Sequence, residues 1–86
     1  MRATPTPMTA QQREMLLAYE RLHAQWHAAS ETAREAECRL VRTLRAHEEA
    51  GGPAPDTCEL QRVLQLRFAA DDLYRQAMQV LRDAPL

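Results

Sequence analysis

The stretch EEAGGPAPDTCEL, residues 48–60, decides the fold. Gly51 can take the left-handed conformation that ends a helix, and Pro53 cannot continue a helical turn. Asp56 then offers a carboxylate to the free amides of a new helix, with Glu59 three residues later as its capping-box partner. One helix stops here and another starts. A link this short makes the two of them antiparallel neighbours.

Upstream of this turn, no Gly or Pro interrupts residues 8–50. Thr9 and Gln12, in TAQQ, have the spacing of a second capping box. Met15, Tyr19, Leu22, Trp26, Ala29, Ala33, Ala36 and Leu40 alternate by four and three, the seam of a long helix in coiled-coil-like packing. Downstream, Leu60, Val63, Leu66, Ala70, Leu73, Tyr74, Ala77, Val80 and Leu81 form a wide apolar stripe before Pro85. Glu35–Arg39 and Asp71–Arg75 are spaced for local ion pairs.

These patterns predict an all-α fold, an antiparallel two-helix hairpin with a long helix at about 9–50 and a second at about 57–82. Residues 1–8, with Pro5 and Pro7, read as a flexible leader, and 9–86 as a single hairpin domain. A turn centred near residue 53 places Leu44 by Val63, Leu40 by Leu66, Ala36 by Ala70 and Ala33 by Leu73. In that register the second helix ends opposite about residue 24, and the first overshoots it by roughly 20 Å. Met15, Leu16, Tyr19 and Leu22 then lie on an overhang with Trp26 at its lip. Leu64 and Phe68, four apart and off the main stripe, form a second contact face.

Burying a large apolar side chain is worth about 1.5–3 kcal/mol, so such a patch calls for a cover. The expected partner-binding residues are therefore Met15, Leu16, Tyr19, Leu22, Trp26, Leu64 and Phe68, completing a bundle with another chain. The alternative is a first helix that breaks near Ala28–Ser30 and folds back on the hairpin. Two function classes stay open, a heteromeric co-chaperone or adaptor and a homodimeric four-helix bundle with a structural or regulatory role.

Composition narrows the rest. At 86 residues the chain makes one small domain, and much of its 45% apolar content is alanine. A net charge of −1 gives no pull towards nucleic acid or an acidic membrane, and no apolar run is long enough to span a bilayer. No signal-peptide pattern opens the chain, so a cytoplasmic location with Cys38 and Cys58 reduced is expected. The register holds those cysteines roughly 15 Å apart, too far for a disulfide.

Few residues carry candidate chemistry. His23 and His27 stand four apart, a spacing that lets two imidazoles share a metal, yet no third ligand is near in sequence and the zincin glutamate is replaced by Ala24. Cys58, in the first turn of the second helix, is at most a mildly activated thiol. Arg34, Arg39, Arg42 and Arg45 lie among Glu31, Glu35, Glu37, Glu48 and Glu49, with no aromatic residue between them to stack on bases. No catalytic residue, metal site or cofactor is expected, and an enzyme is not.

From Ala36 to Leu81, through AECRLVRTLRAHEEAGGPAPDTCELQRVLQL, the chain resembles the small E-type (YscE-like) co-chaperones of type III secretion systems. The resemblance lies in the Pro-marked turn, the acidic cap and the Leu/Gln-rich helix after it. It implies a non-enzymatic cytoplasmic hairpin that pairs with a helical-repeat chaperone and keeps the needle subunit from polymerising early.

Overall fold

The computed structural model describes residues 7–84. They form an all-α hairpin of two helices, α1 (Ala10–Ala50) and α2 (Thr57–Arg82), with no strand among the described residues. The expected boundaries hold at both ends of both helices. The calls on residues 1–6 and on Pro85 lie outside the described residues.

Local chemistry accounts for those boundaries. The Thr9 hydroxyl accepts from the Gln12 amide at 3.1 Å while the Gln12 side chain accepts from the Thr9 amide at 3.0 Å, closing the predicted box. At the other end Gly51 sits at φ 68°, ψ 21°, its amide bonded to the His47 carbonyl and that of Gly52 to the Ala46 carbonyl. Nothing lies within 4 Å of where a Gly51 side chain would begin, so only backbone strain opposes a larger residue there. Gly51→Ala is expected to cost about 1–2 kcal/mol in a denaturant melt, the left-handed penalty of an L-residue. An unchanged midpoint would show that the turn tolerates another geometry.

Asp56 caps α2 by accepting from the Glu59 amide at 2.7 Å. Only this half of the second box forms, because no bond returns from the Glu59 side chain to the Asp56 amide. His47 supplies a tie the sequence did not announce: its Nδ1 lies 2.6 Å from the Gly52 carbonyl and donates to it. This bond holds the start of the loop against the end of α1.

α1 is continuous through Ala28–Ser30, so the folded-back alternative is excluded. The expected register needs correction. Trp26 meets Tyr74 in a tilted contact with ring centroids 5.4 Å apart, six positions earlier on α2 than the Val80 that a turn centred at residue 53 would bring. Val80, Leu81 and Ala84 share a groove with Met15 and Leu16, so Trp26 is not at a lip and the overhang shrinks towards the first turns of α1.

The loop explains the shift. Pro53 and Pro55 hold φ near −65°, each pushes the residue before it towards extended geometry, and Asp56 is itself extended. Extended residues advance about 3.1–3.3 Å each against about 1.5 Å in a helix, so each one carries α2 about one helical position further along α1. The displacement is two positions at Glu37–Arg67 and six at Trp26–Tyr74.

The fully buried positions of the interface between the helices are small residues. Among the described residues Ala33, Ala70 and Ala77 are fully buried, and no large side chain is. Alanine lets the helix backbones approach closely but brings little apolar area out of water. The molecule is a thin rod, with extents of 72 × 26 × 15 Å and a radius of gyration of 20.3 Å. A compact chain of this length would have a radius of gyration of roughly 12 Å.

Ion pairing is sparse. Two pairs come within 4 Å among the described residues, Arg67–Glu37 and Arg75–Asp72. Glu35–Arg39 is not one of them, and Arg75 lies 3.9 Å from Asp72 rather than against Asp71. Asp72 also accepts from the Gln76 side chain at 2.8 Å.

Candidate docking face

Two cross-helix contacts mark one broad face of the hairpin. Glu37 accepts from Arg67 Nε at 2.7 Å, and Trp26 meets Tyr74 further along. Both partners of the ion pair remain about 40% exposed, which limits its worth to about 1 kcal/mol or less. Residues three and four apart on a helix share a side, so these contacts show what else the face carries. Val41 follows Glu37 by four, Leu64 precedes Arg67 by three, and Leu60 and Phe68 lie four to either side of Leu64.

All of these apolar neighbours are open to solvent. Leu60 is 44% exposed, Leu64 54%, Phe68 63% and Val41 46%. Spaced four apart, Leu60, Leu64 and Phe68 make a ridge along the first half of α2, with Val41 beside it on α1. Across the hairpin Arg21, Thr32 and Arg39 on α1, and Gln65 and Gln76 on α2, are exposed, with Leu17 the exposed apolar residue beside Arg21. The ridge is the most uncovered apolar surface near the turn.

The open end of the hairpin carries a second feature. Met8, Met15 and Leu16 face Val80, Leu81 and Ala84 across a groove of about 430 Å³. Leu16 and Leu81 stay nearly half exposed there.

The sequence-derived residues thus fall into two groups. Met15, Tyr19, Leu22 and Trp26 are half-buried, with Trp26 held against Tyr74. Leu16, Leu64 and Phe68 are exposed. Leu60 and Leu44 were expected in the hairpin seam, but both are exposed. Val41 was not singled out at all. The spacing of Leu60 to Leu64 was the available signal for the longer ridge, masked because Leu60 also fits the main stripe.

The histidine pair is placed as its spacing requires, with the rings of His23 and His27 5.6 Å apart. His23 also contacts Tyr19 and Trp26, which makes it part of an aromatic cluster on α1. Among the described residues no group of three potential ligands gathers around a common point. Cys38 and Cys58 are both free and exposed. No described helix is long and apolar enough to cross a membrane. Comparison with family models, curated proteins and solved structures finds no match.

Proposed function

We propose that this chain is a non-catalytic helical interaction protein, a small co-chaperone or adaptor that docks exposed apolar surface on another chain. The observation that carries this reading is the line of open apolar side chains on one face of a hairpin whose own interior is alanine. A hairpin packed on alanine gains little from its core, whereas covering Leu64 and Phe68 gains roughly 1 kcal/mol or more for each, half or more of their full burial value. The likeness of the turn and second helix to E-type co-chaperones suggests the setting: a cytoplasmic chain paired with a helical-repeat chaperone that holds a type III secretion needle subunit.

Co-expression with such a chaperone and needle subunit from the same genome tests this setting. Co-purification as one complex, with a mass equal to the sum of its chains, is the expected result. Recovery of the chaperone–needle pair without this chain would overturn the secretion role.

A homodimeric four-helix bundle is the second reading, favoured by the amount of surface left open. Ten large apolar side chains, from Met8 to Leu81, are exposed among the described residues.

A further inference from the structure

We propose that His23 and His27 form a two-imidazole site for a divalent transition cation of the Ni²⁺, Cu²⁺ or Zn²⁺ class, clipping one turn of α1 beside Trp26. The site goes beyond the docking reading and does not depend on it.

Spacing offers the pair, and the structure makes it usable. α1 is unbroken over Ala10–Ala50, so both histidines stand on one regular turn. Their ring centroids lie 5.6 Å apart. With metal–nitrogen bonds of about 2.0–2.1 Å, two imidazoles on one cation have centroids roughly 4.5–5.5 Å apart, so a small side-chain turn closes the site. Among the described residues the side-chain hydrogen bonds involve His47 but neither His23 nor His27, which leaves both rings free to ligate. His27 is exposed and gives a cation access from solvent. His23 is half-buried, edge-on to Trp26 and beside Tyr19, so little side-chain freedom is lost when it ligates.

The surroundings favour positive charge. The residues three and four positions from either histidine are Tyr19, Glu20, Ala24, Trp26, Ser30 and Glu31, two of them exposed carboxylates and none an arginine. Imidazole selects the class of metal, since Ni²⁺, Cu²⁺ and Zn²⁺ take nitrogen ligands whereas Mg²⁺ and Ca²⁺ take oxygen. A third protein ligand is what a closed structural site requires. Here water fills the remaining positions of the cation, and the site is open.

The molecule carries its own reporter. Trp26 is the one tryptophan of the chain, with its ring centroid 5.4 Å from that of His23 and 5.8 Å from that of His27. An open-shell cation held there quenches its fluorescence. The test titrates Ni²⁺ into the purified full chain with its thiols kept reduced. Saturable quenching at one Ni²⁺ per chain is expected, with a rise in the melting temperature, and Mg²⁺ is expected to give neither. His27→Ala should weaken Ni²⁺ binding at least about 100-fold, the low end of what linking two ligands adds. His47→Ala, roughly 30 Å further along α1, should change nothing. Joining His27→Ala with Ala28→His keeps the number of histidines but sets the pair five apart, about 140° around the helix, and should bind as weakly as His27→Ala.

A wild-type dissociation constant for Ni²⁺ above about 1 mM overturns the site. So does quenching that survives His27→Ala, or that the displaced double variant retains, since either shows an adventitious ion only. Circular dichroism of each variant without metal, expected to stay helical, separates loss of the site from loss of the fold.

Discussion

Ala70→Leu is expected to lower the stability of the hairpin by about 2 kcal/mol, within the range of about 1–3 for overpacking a tight site. Ala70 is fully buried between α1 and α2, so three added carbons must displace its neighbours. Either the helices separate, which opens the seam at Ala33 and Ala77, or the leucine takes a strained rotamer. For a domain of this size a loss of about 2 kcal/mol lowers the melting temperature by about 8–16 °C. Far-UV circular dichroism at fixed protein concentration reads the change. A melting temperature equal to or above that of the wild type would mean that the alanine seam does not set the helix separation.

Trp26→Ala is the second large effect, with an expected loss of about 2–3 kcal/mol. Full truncation of a buried Trp costs about 3–5 kcal/mol, and Trp26 is half-buried, so the lower figure applies. Its packing against Tyr74 is the part specific to this fold. A double-mutant cycle with Tyr74→Ala should give a coupling of about 0.5–1.5 kcal/mol, the usual worth of an aromatic pair beyond its area. Exposed Gln25, one residue away, makes the comparison: Gln25→Ala should stay within about 0.5 kcal/mol. Zero coupling between Trp26 and Tyr74 would return the hairpin to the register centred at residue 53, in which the two never meet.

The two experiments separate two sources of order in this chain. Ala70 tests how close the helices come, and Trp26 tests which residues face each other once they do. Neither depends on the identity of a partner.

From its residues alone the chain determined where its helices begin and end. Thr9 with Gln12, Gly51 and Asp56 act on backbone groups within four or five residues of themselves, so their effects are legible without any tertiary contact. The period of the apolar residues likewise determined that two long helices would pack against each other, and that Leu64 and Phe68 would be left aside. What only the tertiary structure decided was the register. Facing pairs are displaced by two positions at Glu37–Arg67 and by six at Trp26–Tyr74, and no pattern within either helix states that displacement.

The candidate face follows from that register. It brought Trp26 to Tyr74, placed Val41 beside the α2 ridge, drew Val80 and Leu81 down to Met15 and Leu16, and left Leu60 outside the seam. Periodicity states which side of a helix is apolar. How far along its neighbour each residue lies, and so which part of the stripe stays wet, is a property of two helices and the loop that joins them.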